Sequence, residues 1–248
     1  MPASQVLLEH ERLDDLQNGL KIIQDPSSFC FGSDAVVLSS FCRVKRGAKV
    51  CDLGTGNGII ALLLAAHTEA QKIVGIEIQE QAADMARRSV ALNGLSDRVE
   101  ILNMDLKDAA DILGRNSFDT VVCNPPYGKA GRSFFHQADA RSIARHEILC
   151  TLSDCVKTAA ALANNGGNVA FVCPGLRVAE LFSLFEQHRL SIKRARTVHP
   201  AYGAAPSVLL VEGVKGGKSG LAWLPPLFLT DGAGNMTKEC KEAYHMEG

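Results

Sequence analysis

Four consecutive residues, Asn124-Pro125-Pro126-Tyr127, directly follow the apolar run FDTVVC at 118–123. Two successive prolines remove two backbone donors and stop a strand, so they fix the path of the chain here. The Asn124 side-chain oxygen and the Pro125 carbonyl can each accept one hydrogen of a planar amine or amide nitrogen, and Tyr127 can stack on a flat ring. Two such acceptors would direct the nitrogen lone pair at an electrophile, which is catalysis by positioning and electrostatics without a strong base. The alternative interpretation is a proline-rich turn with a half-buried tyrosine.

A second segment, CDLGTGNGII at 51–60, carries three alternating glycines, Gly54, Gly56 and Gly58, between a predicted strand and a predicted helix. Glycine allows a tight turn and a close approach of the backbone to a ligand, and the helix N-terminus adds backbone donors. The dinucleotide-binding fingerprint G-x-G-x-x-G would need a glycine where Ile59 stands. The segment therefore indicates either a site for another ligand or a tight structural turn.

Three carboxylates are predicted at the ends of three consecutive strands. Asp52 opens the glycine segment, where it would lie near any cationic amino group. Glu77 follows about 20 residues later, where a carboxylate can accept both ribose hydroxyls. Asp105 ends the third strand and can accept from an adenine amino group. Each alone is an ordinary surface acid, but together around one crevice they favour a nucleoside cofactor that carries a positive charge.

The elements that must hold these residues alternate between short apolar strands and helical patterns from about residue 47 onward. This alternation predicts an α/β fold, a parallel sheet with helices on both faces. The loop 199–206 is too short for a crossover helix, so the last two strands are predicted to be antiparallel. The strands are expected at 48–53, 72–78, 98–105, 118–126, 168–173, 190–198 and 207–214, and the helices at 59–67, 79–94, 151–164, 176–188 and near 238–245.

Residues 1–46 are predicted to form an N-terminal extension, with a hairpin around Asn18-Gly19 and a helix over the cofactor, and residues 47–248 to form the main domain. The 248 residues suit one α/β domain of ordinary soluble composition, with 46% hydrophobic and 21% charged residues. No apolar run approaches the roughly 20 residues that span a bilayer, and early charges exclude a signal peptide. We therefore expect a cytoplasmic protein with no membrane partner.

Eight cysteines without a C-x-x-C pair indicate reduced, buried thiols, neither a disulfide framework nor a metal site. The formal net charge of −1 excludes a global field that would attract nucleic acid, so any such affinity must come from local patches.

The glycine loop with its later acids resembles the class I S-adenosylmethionine-dependent methyltransferases over about residues 47–173. The Asn124–Tyr127 motif matches the N-P-P-[YFW] motif of methyltransferases that act on exocyclic amines and amides. The resemblance implies a Rossmann-like seven-stranded sheet with one antiparallel strand, S-adenosyl-L-methionine as the cofactor, and no metal. It also implies the cofactor-binding residues Phe31, Ser33, Asp52, Gly54, Thr55, Gly56, Asn57, Gly58, Glu77, Ile78, Asp105, Leu106 and Asn124.

Segments outside this core narrow the resemblance. LDDLQNGLKIIQ (13–24), FCFGSDAVVLSSF (29–41) and ARHE (144–147) are similar to the tRNA (adenine-N6) methyltransferase family that modifies the adenosine next to the anticodon of valine tRNA. The resemblance implies an RNA substrate and a segment, Phe31–Ala35, that covers the methionine end of the cofactor. Two alternatives remain: a glutamine-N5 methyltransferase of a protein substrate, and a nucleoside-binding regulatory protein without turnover. The lack of a separate N-terminal helical domain weakens the first, and the intact motif weakens the second.

Candidate RNA contacts come from two groups of basic residues. One group follows the catalytic motif, and the other lies in HRLSIKRARTVH (188–199), which contains no acid. A charged edge strand that avoids aggregation explains the second group equally well. The predicted nucleic-acid-binding residues are Lys129, Arg132, Arg145, Arg189 and Lys193, and we expect a monomer or a weak dimer.

Overall fold

The structure is a computed structural model that describes residues 7–16, 19–27, 30–126 and 150–246. Its strands are β1 (Arg12–Asp15), β2 (Lys21–Gln24), β3 (Lys49–Leu53), β4 (Lys72–Glu77), β5 (Val99–Asn103), β6 (Phe118–Cys123), β7 (Ala163–Pro174), β8 (Leu190–Ala201), β9 (Val208–Lys215), β10 (Ala222–Trp223) and β11 (Leu227–Thr230). Its helices are α1 (Ser33–Phe41), α2 (Ile59–His67), α3 (Glu80–Leu92), α4 (Ala109–Ile112), α5 (Leu152–Leu162), α6 (Val178–Gln187) and α7 (Lys238–Ala243).

The main sheet has the order β10-β8-β9-β7-β6-β3-β4-β5, and β11 also pairs with β8. Strands β3 to β7 pair in parallel, whereas β9 runs antiparallel to both of its neighbours, β7 and β8. The predicted Rossmann-like arrangement of seven strands is therefore confirmed. The short strands β10 and β11 extend it to nine, and their two and four residues were too few to show a strand pattern in the sequence.

Helices cover both faces of the sheet. Helices α1, α2, α3 and α7 pack on the face that carries Val50 and Val122, while α4, α5 and α6 pack on the face that carries Cys51 and Val121. Strands buried on both faces read as nearly continuous apolar runs, which is why β3 and β6 were evident from sequence. Within the described residues, the remaining predicted strands and helices are present with end shifts of up to five residues, the largest at β7, which begins at Ala163 instead of 168. Of the helices in those residues, only the four-residue α4 was missed.

The register of the strands places the candidate site at one edge of the sheet. Leu53 pairs with Ile76 on one side and with Cys123 on the other, and Glu77 pairs with Asn103. The carboxyl ends of β3, β4, β5 and β6 therefore lie side by side. We call this side of the sheet the carboxyl edge and the opposite side the amino edge.

The N-terminal hairpin, β1 with β2, is antiparallel as predicted. It docks on α3, because the backbone N–H of Ile23 donates to the buried hydroxyl of Ser89 (3.0 Å) and Arg88 forms an ion pair with Glu11 (2.6 Å). Ile22 is part of the same apolar cluster as α1 and α2. Over the described ranges, none of the helices has the length and apolar character needed to cross a membrane.

Candidate active site

The glycine loop is a tight turn at the carboxyl end of β3. Gly54, Gly56 and Gly58 have φ values of +68°, +57° and +89°, a region that side chains with a Cβ rarely adopt. The loop is closed by backbone hydrogen bonds, in which Thr55 N–H donates to the Ile76 carbonyl and Gly58 N–H donates to the Thr55 carbonyl, both at 2.9 Å. Helix α2 begins directly after Gly58. The predicted strand–turn–helix context of the glycines is therefore present.

Asp52 is fully buried beneath this loop. Its Oδ2 accepts from the Thr55 hydroxyl at 2.6 Å, whereas its Oδ1 has no donor among the described residues. The pKa of Asp52 is raised to about 7, chiefly by burial and also by the nearby Glu77 charge, while hydrogen bonding to the Thr55 hydroxyl and to the Ala61 backbone opposes the rise. A buried carboxylate with one unused oxygen is ready to accept from a ligand.

Gly75 on β4 supports the same arrangement and was missed in the sequence. A Cβ at this position would lie 2.9 Å from Thr55 Oγ1, 3.0 Å from Thr55 Cβ and 2.8 Å from Ile101 Cδ1. Only glycine leaves room for the threonine that holds Asp52. A glycine inside an apolar strand is the sequence signal for such a close approach.

Glu77 ends β4 and connects it to the glycine loop. The side chain is only 6% exposed, its Oε2 accepts from Gly56 N–H (2.9 Å), and its Oε1 accepts from Gln79 N–H (2.8 Å). The Gln79 side-chain amide donates a second, longer bond to Oε1 (3.4 Å), whereas Oε2 retains one of its two acceptor positions for a further donor. The next residue, Ile78, exposes 39% of its surface at the edge where a flat ligand would lie.

Asp105 lies two residues beyond the end of β5 and caps a short 3-10 turn, Leu106–Asp108. Its Oδ1 accepts from Lys107 N–H (2.9 Å), and its Oδ2 forms an ion pair with the Lys107 ammonium (3.1 Å). The Leu106 side chain points into the core. This carboxylate therefore has a local structural role in addition to its predicted position at the edge.

Gln24, at the end of β2, joins the N-terminal segment to the glycine loop. It is 2% exposed, and its Oε1 accepts from Phe31 N–H (3.1 Å) and from Asn57 Nδ2 (3.4 Å). Phe31 packs against the apolar cluster of α1 and α2, and Ser33 is the first residue of α1. Gln24 was missed, although a polar residue closing the apolar run KIIQ was a usable signal.

Asn124 directly follows β6, with its side-chain oxygen buried and without a donor among the described residues. The same holds for one oxygen each of Asp52 and Asn57. All three atoms are acceptors, and all three residues lie at the carboxyl ends of the adjacent strands β3 and β6. Because an unpaired buried acceptor is costly, this set predicts a ligand that offers N–H groups. Pro125 is buried and Pro126 half-buried.

The predicted RNA-binding residues divide into two groups. Lys129, Arg132 and Arg145, like the catalytic-motif residue Tyr127, lie outside the described residues. Arg189 is exposed and directly precedes β8, and the Lys193 ammonium donates to the Lys218 carbonyl. Because β8 runs parallel to β7, its start lies at the amino edge. Arg189 and Asn124 therefore lie at opposite ends of the strands.

The eight cysteines have free thiols. Within the described ranges, no group of three or more His, Cys, Asp or Glu residues is arranged to hold a metal ion.

Comparison with known proteins identifies the family to which the chain belongs. The family model of the methyltransferase small domain matches residues 21–174. A tRNA1(Val) (adenine(37)-N6)-methyltransferase of Porphyromonas gingivalis is 32% identical over 73% of this chain and 72% of its own length. The enzyme of the same name from Trichodesmium erythraeum is 31% identical over 69% of this chain and 74% of its own length.

Among solved structures, a predicted O-methyltransferase from Agrobacterium tumefaciens superposes with a TM-score of 0.69 at 25% identity, covering 86% of this chain and 96% of that one. The chain therefore belongs to the methyltransferase small-domain family, as an S-adenosylmethionine-dependent methyltransferase related to the tRNA1(Val) (adenine(37)-N6)-methyltransferases.

Proposed function

We propose that the chain methylates N6 of an adenine in tRNA, with S-adenosylmethionine as the methyl donor. The observation that carries this proposal is the buried Asn124 oxygen, which has no donor among the described residues although it stands at the carboxyl edge beside the glycine loop. An amino group that brings N–H donors to this oxygen removes the cost of leaving it unpaired.

The residues of the glycine loop fit the cofactor. When bound, S-adenosylmethionine supplies an electrophilic methyl group on a sulfonium, together with ammonium, adenine and ribose groups that need acceptors. The unpaired oxygens of Asp52 and Asn57 would accept its N–H donors. Glu77 would accept the ribose hydroxyls, one at the free position of Oε2 and one at Oε1 in place of the long bond from the Gln79 side-chain amide. Asp105 would contact the adenine edge, beside the exposed Ile78.

The N-terminal extension, residues 1–46, would cover the methionine end of the cofactor. Gln24 supports this assignment, because it ties the backbone of Phe31 to the side chain of Asn57 in the glycine loop. Ser33 at the start of α1 lies two residues further along the same segment.

Catalysis would rest on the orientation of the acceptor nitrogen. The adenine N6 lone pair is delocalised into the ring, which makes it a poor nucleophile. If Asn124 Oδ1 and the Pro125 carbonyl each accept one N6 hydrogen, the lone pair turns towards the methyl group. The two prolines restrict the backbone that carries the Pro125 carbonyl, and the Asn124 oxygen is already buried before the substrate arrives. Acceptors placed in advance of the reaction are the main source of electrostatic catalysis. Tyr127 would stack on the target base.

A nitrogen acceptor is favoured over an oxygen acceptor because of the number of hydrogens that each carries. The Agrobacterium neighbour is named as an O-methyltransferase, but a hydroxyl has one hydrogen and satisfies one acceptor. An amino group has two, as the paired acceptors of the Asn-Pro-Pro-Tyr motif require. The relatives named as tRNA methyltransferases support RNA as the carrier of that amine, and such a substrate implies action in the cytoplasm.

The test supplies labelled S-adenosylmethionine and the purified enzyme to an extract of a strain that lacks the gene. We expect the label to disappear with ribonuclease and to persist with protease, and nucleoside analysis to recover it as N6-methyladenosine. Label that survives ribonuclease and vanishes with protease would replace this proposal with glutamine-N5 methylation of a protein.

A further inference from the structure

We propose that Tyr202 is a stacking platform for an unpaired base of the RNA substrate, remote from the methylated adenine; this rests on the proposed function. Tyr202 is the first residue after β8 and exposes 58% of its surface, the second most exposed aromatic side chain of the described residues after Trp223. A single exposed aromatic needs no explanation by itself, so its support and its location carry the argument.

The support of Tyr202 is unusually rigid for a loop residue. Its N–H donates to the Thr230 carbonyl (3.2 Å), and the following turn is closed by the Ala204 N–H, which donates to the Ala201 carbonyl (3.1 Å). The ring contacts Phe228 with centroids 4.9 Å apart and an interplanar angle of 62°. At this angle Phe228 supports the Tyr202 ring through an edge contact and does not stack parallel to it. The platform is therefore held in place while a face stays open to solvent.

Phe228, which supports the Tyr202 ring, is itself held by contacts with neighbouring residues. Phe228 lies 4.8 Å from the His199 ring, and the two residues are paired in the β8–β11 register. His199 is held at both ring nitrogens, with Nδ1 2.8 Å from the Ala204 carbonyl and Nε2 3.0 Å from the Thr197 hydroxyl. Little side-chain entropy remains to be lost on binding, which is what makes a fixed aromatic an effective contact.

Tyr202 lies on the same edge of the sheet as Asn124. Asn124 follows Cys123, which pairs with Phe171 on β7; β7 then runs on to Pro174, level with Val208 and Val198. Tyr202 lies four residues beyond Val198, at the carboxyl edge. The two residues are three strand spacings apart, about 14 Å across the sheet, with up to about 20 Å along the strands. Tyr202 cannot touch the reacting adenine, but a folded RNA can reach both.

The surface between them suits a nucleic acid. The turn after β7 carries Leu176, which is 79% exposed, and Arg177, whose guanidinium forms an ion pair with Glu180 (2.9 Å). An open ring on the same edge as exposed apolar surface and a guanidinium suits unpaired bases that are bound without reading their identity. A remote contact of this kind adds affinity for the RNA and leaves the chemical step unchanged.

The experiment compares three variants: Tyr202→Ala, Tyr202→Phe and Trp223→Ala. Trp223→Ala is the matched control, because Trp223 is similarly exposed (62%) but lies on β10, at the outer margin of the sheet. Binding of a labelled tRNA anticodon stem-loop is measured by fluorescence anisotropy, and methyl transfer is measured separately. We expect Tyr202→Ala to weaken RNA binding about 5- to 150-fold, with kcat and cofactor affinity unchanged, and the other two variants to bind like the wild type.

A scan of abasic nucleotides in the stem-loop identifies the stacked base. At one position other than the target adenine, loss of the base should weaken the binding of the wild type but not weaken the binding of Tyr202→Ala any further. The two changes are then not additive, because both remove the same contact. Additive effects at every position, or unchanged RNA binding in Tyr202→Ala, overturn the proposal. Binding of the wild type without methyl transfer would instead refute the proposed function alone, and a wild type that binds no RNA would refute both.

Discussion

Glu77 and Gly56, 21 residues apart in the chain, are joined by a hydrogen bond of 2.9 Å from the glycine N–H to a carboxylate oxygen. The bond fixes the middle of the glycine loop to the end of β4, so the predicted ribose-binding acid also holds the loop that would lie under the cofactor. Loss of its charge would therefore remove the proposed ligand contact and a loop support at once.

Glu77→Ala should weaken binding of S-adenosylmethionine and of its demethylated product by about ten- to more than a hundredfold, since hydrogen bonds to a charged group contribute about 1.5–3 kcal/mol. Isothermal titration calorimetry measures the change. Glu80→Ala is the matched control, because Glu80 is an exposed carboxylate three residues further on, in the first turn of α3. Equal affinities of the Glu77 variant and the wild type would remove Glu77 from the site.

Glu77 also illustrates how far sequence could predict this site. Its position followed from strand periodicity, which is a local property of the chain, and from the general rule that the carboxyl ends of parallel strands lie side by side. Its hydrogen bond to Gly56 did not, because the conformation of a glycine loop is set by its neighbours rather than by its composition. Asp105 shows the same limit, since the turn that it caps was not visible as a periodic pattern.

Contacts between distant segments were the least predictable. Gln24 reaches Asn57 across 33 residues, and Gly75 is needed only because Thr55 packs against it. Arg189 and Lys193 were chosen for their charge, but the direction of β8 puts Arg189 at the amino edge and Lys193 in the part of the strand nearest to it. Charge is readable from sequence, whereas the edge of the sheet on which it lies depends on the topology.

Gly75→Ala should destabilise the protein by about 1–3 kcal/mol, the usual cost of forcing an extra methyl group into a packed site. Ile101 can move the end of its side chain away, but Thr55 is β-branched and hydrogen-bonded to Asp52, so it cannot. We therefore also expect weaker cofactor binding. Urea denaturation and calorimetry measure the two effects.

Gly232→Ala is the control for this substitution, because a Cβ there meets no atom within 4 Å. If the two alanine variants lose the same stability and the same cofactor affinity, Gly75 is not required for the packing of Thr55.

Asn124→Ala should reduce methyl transfer by on the order of a hundredfold or more, while the dissociation constant of the cofactor changes by less than about threefold. The side-chain oxygen is expected to matter chiefly when the acceptor nitrogen reacts, so its loss appears in kcat. Single-turnover kinetics and calorimetry on the same preparation separate the two quantities. Asn103→Ala is a control, because that amide donates to the Glu77 and Ile78 carbonyls at the edge. A comparable loss of turnover in this control would indicate damage to the edge rather than loss of an acceptor.

Asp52 should make both stability and cofactor binding depend on pH. Its folded-state pKa is raised by burial to about 7, above the ordinary value of 3.8. Protonated Asp52 therefore contributes up to about 4 kcal/mol to the free energy of unfolding. This contribution is present in full below pH 3.8 and is lost as the pH rises through 7. A cationic ligand favours the ionised carboxylate, so cofactor affinity should change in the opposite direction. It should rise towards pH 7 and level off above it.

The measurement is calorimetry between pH 5.5 and 8.5 in buffers of different ionisation enthalpy, which reports the protons released on binding. Near pH 6.5 the wild type should release a fraction of a proton when the cofactor binds, whereas Asp52→Asn, which cannot ionise, should release less and show a flatter affinity profile. Thermal unfolding of the cofactor-free proteins gives the second readout, because the wild type should lose stability relative to Asp52→Asn as the pH rises from 4 to 7. Identical proton release and identical profiles in the two proteins would exclude Asp52 as the titrating group.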